Sequence, residues 1–139
     1  MESSAFCGLD SGPIWGEVLQ SQTTPIKKGN YIMAHFLLEG AYTPETWKTL
    51  VNNPQDRSEA VRPVIEKLGG KVENVWFSFG DYDVVLIMQM PDNVSAAAFS
   101  LAVASGGVFR SLRTTPLLTI AEGMEAMKKA SGAGYQAPR

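Results

Sequence analysis

The stretch VENVWFSFGDYDVVLIMQM, residues 72–90, decides the fold. From Val72 to Phe79 apolar and polar residues alternate, with Val75, Phe77 and Phe79 set against Asn74, Trp76 and Ser78. This period of two marks a strand with one richer face. Val84 to Met90 is an almost unbroken apolar run, the pattern of a strand buried on both sides. Between them Gly80-Asp81-Tyr82-Asp83 has the composition of a turn, so the stretch predicts a β-hairpin. In a tight turn, glycine would supply the positive φ and the aspartates would cap free N–H groups.

Outward from the hairpin, each flank carries a helix and then a strand. Upstream, Val61, Val64, Ile65 and Leu68 recur at i, i+3, i+4 and i+7, one face of a helix that Asn53-Pro54 opens and Gly69-Gly70 stops. Pro63 removes one backbone bond from that helix and should bend it. Before it, Thr43-Pro44 reads as a cap followed by proline in the first helical position, opening a short helix with Trp47, Leu50 and Val51. Tyr31 to Leu38 reads as the first strand. Downstream, Pro91-Asp92 opens a helix through Ala98, Leu101, Ala102 and Val103, ended by Gly106-Gly107, and Val108 to Leu118 is the last strand. Thr119 to Glu122 has the form of a capping box and starts a terminal helix that runs to Ala130.

The predicted class is α+β, a ferredoxin-like βαββαβ fold. Its four-stranded antiparallel sheet would carry helices on one face, with an extra C-terminal helix. Both sheet faces are apolar: Ala34 and Phe36 oppose Met33 and Leu37, and Val84, Leu86, Met88 and Met90 oppose Val85 and Ile87. Helices cover one face, and a second copy of the chain is the economical cover for the other.

Composition sets the outer bounds. A chain of 139 residues with 45% hydrophobic and 19% charged residues has enough apolar material for one buried core without metals or disulfides. Residues 1–30, rich in Ser, Thr, Gly and Pro, read as a loosely ordered arm, 31–130 as the folded domain and 131–139 as a tail. The formal charge of −2 gives no basic footprint for nucleic acid. No apolar run reaches the about 20 residues of a membrane span, and the N-terminus lacks a secretory pattern. With Cys7 the only cysteine, a reducing, cytoplasmic setting is expected.

Lys67-Leu68-Gly69-Gly70-Lys71-Val72 followed by Phe79-Gly80-Asp81-Tyr82-Asp83-Val84-Val85 resembles the GYD family of small, mostly bacterial proteins, named for this turn. Asn53 to Arg57 is similar to their helix-opening segment and Thr119 to Glu122 to their final helix start. The resemblance covers roughly residues 31–129 and implies the dimeric α/β-barrel superfamily, in which two ferredoxin-like subunits pack sheet on sheet. The chain departs from the pattern in its long arm and at Ser111-Leu112-Arg113-Thr114, where an Arg-Thr-Glu-Thr run is common and a basic residue replaces the acid. The resemblance brings no assigned activity.

The candidate chemistry is sparse. His35 is the only histidine, so one chain has no multi-histidine metal site, and a single cysteine excludes a structural zinc site. No cofactor is implied, since Gly69-Gly70 and Gly106-Gly107 are helix stops and not phosphate loops. His35 would act as a base in a cleft with Tyr82 or Asp83 assisting, or would be a hydrogen-bonded histidine at a subunit interface. The Gly80–Asp83 turn would contact a ligand or simply make the hairpin. Trp47, Trp76 and Arg110 are the candidate ligand contacts. Core or interface packing is the favoured reading of the two tryptophans. Of Arg110 and Arg113, one would bind an acidic ligand while surface exposure explains the other. Arg110 and Arg113, at odd spacing on one strand, point to opposite faces.

Three readings follow. The first is a dimer, or higher homo-oligomer, holding a small apolar or aromatic molecule in the sheet–helix cleft. The second is a cofactor-independent oxygenase or isomerase using His35. The third is a non-catalytic assembly protein.

Overall fold

The computed structural model describes residues 33–139; the arm expected over residues 1–30 lies outside them. Four strands form one antiparallel sheet: β1 (Ala34–Tyr42), β2 (Lys71–Phe77), β3 (Val84–Met90) and β4 (Phe109–Leu117), in the order β2-β3-β1-β4. Helices α1 (Pro44–Asn52) and α2 (Arg57–Lys67) connect β1 to β2, α3 (Asn93–Ser105) connects β3 to β4, and α4 (Ile120–Ser131) follows. This is the ferredoxin-like α+β fold.

The hairpin read from residues 72–90 pairs Phe77 with Val84 and Lys71 with Gln89. Its register shifts between Val72 and Asn74. The extra residue, Glu73, breaks the simple alternation and puts Val72 and Val75 on the same face, opposite Met88 and Leu86. The turn departs from expectation in one respect. Gly80 does not adopt positive φ, and a Cβ there would meet nothing within 4 Å. Asp83 shapes the turn instead: its carbonyl accepts from the Ser78 N–H at 2.8 Å, and its N–H donates to the Gly40 carbonyl at 2.8 Å.

Helix starts follow side-chain capping. Thr43, Asp56, Asp92 and Thr119 each accept an N–H from the first turn, and Thr119 with Glu122 completes a reciprocal capping box. Gly69 and Gly107 take φ of +85° and +71° just past the helices they end. Pro63 sits inside α2.

The core lies between the sheet and helices α2 and α3. Phe36, Leu38, Leu86, Met88 and Met90 from the sheet meet Ile65, Ala96 and Phe99 from the helices, all nearly solvent-free. Burial of a side chain such as Phe99 or Ile65 contributes about 1.5–3 kcal/mol. Each helix packs chiefly on the sheet, α2 along β2 and α3 along β4 and β3. A space is left between them. The opposite face of the sheet, with Leu37, Val85 and Ile87, is only half-buried, and α4 leaves Ile120, Met124 and Met127 exposed.

Candidate functional site

The space between α2 and α3 is a cleft of about 370 Å³, within the range of small-molecule sites. Val61 and Val64 of α2 form one wall, Phe99 and Val103 of α3 the other, and Tyr42 and Phe109 close one end. Beneath it, a smaller hollow reaches Leu38, Val84 and Leu86 on the sheet. The walls are apolar because α2 turns Val61 and Val64 toward the gap and α3 is apolar nearly all round.

The closed end is built from local constraints. Gly40 lies opposite Leu112 and Val84 in the sheet, and a Cβ on it would come within 2.5 Å of the Phe109 ring. The absence of that atom lets Phe109 stack on Tyr42, with centroids 4.7 Å apart and planes at 19°. Trp47 meets Tyr42 in a T-shaped contact with centroids 5.4 Å apart. The Val108 carbonyl accepts from the Thr43 N–H at 3.1 Å and from the Thr46 hydroxyl at 2.9 Å. The loop bordering the cleft is thereby pinned to the start of α1.

Two polar groups converge here. Tyr42 is 3% exposed, and burial raises its phenol above the usual tyrosine range, while the nearby Arg57 guanidinium pulls the other way and Asp83 adds a smaller upward push. Arg57, first residue of α2, lines the main cleft, the hollow beneath it and two adjoining hollows. The four ion pairs among the described residues do not include Arg57. A wider groove of about 430 Å³ between α3 and β4 has Ala96, Ala97, Leu101 and Pro116 along it and no charged residue.

The residues singled out from sequence are scattered. His35 lies on the uncovered face of the sheet with its Nε2 3.3 Å from Glu73 Oε1, and Gln89 donates to the same carboxylate oxygen. It is therefore outside the cleft between sheet and helices. Its cross-strand neighbour is Gln89, whereas Asp83 binds Gly40, five residues along β1. At about 3.3 Å per residue these sites stand roughly 17 Å apart along the strand. The expected grouping of His35 with Tyr82 or Asp83 does not occur within the chain.

Asp83 is occupied: its Oδ2 accepts from the Tyr42 N–H at 2.8 Å and the Trp47 indole N–H at 3.1 Å. The Tyr82 carbonyl accepts from the Ser78 hydroxyl at 2.6 Å. Trp47 buttresses Tyr42 rather than lining the cleft, and Trp76 is half-exposed on the uncovered face, opposite Val85. Arg110 reaches the Asp81 carbonyl at 3.5 Å, while Arg113 approaches Glu39 at 4.0 Å on the uncovered face. These two arginines share no site.

Sequence reading missed Tyr42, Arg57, Phe99 and Phe109. Asp56 and Arg57 belong to a segment noted only as a helix opening. Phe99 lies in a helix that is apolar nearly all round, so spacing points to no face. Among the described residues, no cluster of His, Cys, Asp or Glu fits a metal ion, and no helix is long and apolar enough to cross a membrane.

Comparison with known proteins gives a match to the GYD domain over residues 36–127. No curated protein sequence matches the chain. Among solved structures it is similar to MtbAldR, at 12% identity and TM-score 0.47, over 78% of this chain and 70% of that one. It is also similar to an AsnC family transcriptional regulator from Agrobacterium tumefaciens, at 16% identity and TM-score 0.46, over 81% and 73% of the two chains. A third, a transcriptional regulator from Neisseria meningitidis in complex with L-Met, gives 11% identity and TM-score 0.44 over 79% and 71%.

Proposed function

This chain belongs to the GYD domain family, and we propose that it binds a small apolar or aromatic molecule in the cleft between α2 and α3. The observation that carries this reading is the cleft itself: about 370 Å³, apolar on both helical walls, with Tyr42 and Arg57 bordering the same space. A pocket with a few convergent polar groups is the usual form of a small-molecule site. The groove between α3 and β4 is larger but offers no charged group to orient a ligand. The roughly 17 Å between His35 and Asp83 along β1 favours binding over catalysis by those residues.

The binding unit in this reading is a homodimer. Leu37, Ile87 and Val85 form a half-buried apolar centre on the uncovered sheet face. Trp76 at 50% exposure borders that face, and α4 holds Ile120 at 83% and Met127 at 72%. Apolar residues left open on a sheet face and on a helix in this way are commonly covered by another chain.

Native mass spectrometry of the protein purified from its own source tests both parts. A mass above the bare dimer, lost in a Val64→Trp variant that fills the cleft, is the expected result. A ligand retained equally by that variant would place binding elsewhere, and a monomer at micromolar concentration would remove the dimer.

A further inference from the structure

From the groups at the cleft's end, we infer that its ligand is a monocarboxylic acid with an apolar or aromatic body, its carboxylate held by Arg57. The inference rests on the binding reading above and specifies the chemistry of the same site.

Arg57 borders the main cleft, the hollow beneath it and two adjoining hollows, and it takes part in none of the ion pairs among the described residues. A guanidinium beside apolar walls offers a planar fork of donors that fits a carboxylate, and the fit strengthens where water is displaced. Two carboxylates of the chain lie nearby, and both are engaged. Asp56 accepts from the Ser58 N–H at 2.8 Å and the Ser58 hydroxyl at 2.5 Å, while Asp83 accepts from Tyr42 and Trp47. Each is held through one oxygen, and neither forms an ion pair with Arg57.

Tyr42 supports the assignment. Its phenol is neutral at physiological pH, as any tyrosine is, and burial raises its pKa further, so this lining residue adds no negative charge to compete with a carboxylate. The walls of Val61, Val64, Phe99 and Val103 carry no polar side chain. A second charge on the ligand's body would be desolvated there without a partner, which favours one carboxylate over a diacid or an amino acid.

The test is an NMR titration of the full, isotope-labelled chain with two matched pairs: indole-3-acetate against indole-3-acetamide, and 4-phenylbutyrate against 4-phenylbutyramide. The amide backbone signals of Val61, Val64, Phe99 and Val103 report the cleft. We expect each acid to bind about tenfold or more tightly than its amide. Arg57→Gln should weaken the acids by a similar factor and leave the amides unchanged, with Arg57→Lys between. Equal affinity for acid and amide, or acid binding indifferent to Arg57→Gln, would overturn the carboxylate assignment while the binding reading stands. No perturbation of cleft residues by any of the four at millimolar concentration would overturn both.

Discussion

The indole N–H of Trp47 donates to Asp83 Oδ2 at 3.1 Å, tying the short helix α1 to the turn that follows β2. The same oxygen accepts the Tyr42 N–H at 2.8 Å, so one carboxylate joins the end of β1, α1 and the hairpin turn. The Asp of the GYD turn thus has a mechanical part in this chain: it holds the backbone of Tyr42, at the cleft's end, and the indole of Trp47, which packs against it.

Replacing that carboxylate should loosen all three elements together. Asp83→Ala leaves two part-buried N–H donors without their acceptor, and a loss of about 1–3 kcal/mol is expected. Asp83→Asn keeps one acceptor oxygen and should lose less. Urea unfolding followed by tryptophan emission measures both effects. If Asp83→Ala unfolds at the wild-type midpoint, the bond to Trp47 has no structural weight.

Gly40 controls the cleft from underneath. A methyl group there would stand 2.5 Å from Phe109 Cε1 and 3.2 Å from Val84 Cγ1, inside contact distance on two sides. Gly40→Ala should therefore destabilise the chain by about 1–3 kcal/mol through overpacking. The displaced ring should also break its stack on Tyr42. Phe109→Leu combined with Gly40→Ala should recover part of the loss, because the smaller side chain can retreat. Thermal melts of the single and double variants provide the comparison, and strict additivity would locate the strain elsewhere.

How much of this was legible beforehand follows the range of each interaction. The order of elements, the hairpin and the Thr119–Glu122 box are written in neighbouring residues: caps, glycine stops and runs of period two or 3.6. Local rules erred where pairing intervened. The irregularity at Glu73 is set by β3 across the sheet, and β1 continues to Tyr42 because Gly40 pairs with both Val84 and Leu112 while Ala41 and Tyr42 go on pairing with β4. The cleft was illegible because Tyr42, Arg57, Phe99 and Phe109 come from four elements and meet only after folding. His35 drew attention as a rare residue type, yet strand parity sends it to the uncovered face beside Glu73. Nothing in the sequence marked Arg57 off from the other arginines.

The start of α4 should respond to acid. Backbone and side-chain hydrogen bonds from Thr119 lower the Glu122 carboxyl below the usual range, with a smaller contribution from His35. A folded value below the unfolded one means that the box's contribution is present above the ordinary glutamate range. It is lost as pH falls through the lowered folded value. The Cα shifts of residues 120–124 should accordingly move toward coil in that acidic window. Glu122→Gln keeps an acceptor without the titration and should flatten the profile. A wild-type helix start unchanged across the window would show that the box does not hold it.

The uncovered sheet face gives the sharpest test of assembly. Leu37 and Ile87 are direct cross-strand partners at its centre, each only half-buried in the single chain. Ile87→Glu would place a carboxylate there. In an isolated chain this position can turn the charge to solvent, and folding should survive with a loss within about 1 kcal/mol. In a dimer closed over this face, the same charge would be buried unpaired, at a cost of several kcal/mol to association. Light scattering should therefore find a folded monomer for Ile87→Glu and a dimer for the wild type. The wild-type melting temperature should rise with protein concentration, and that of the variant should not. A dimer that persists in Ile87→Glu would mean that the chains associate through another surface, with the exposed apolar side of α4 the next to probe by Met127→Glu.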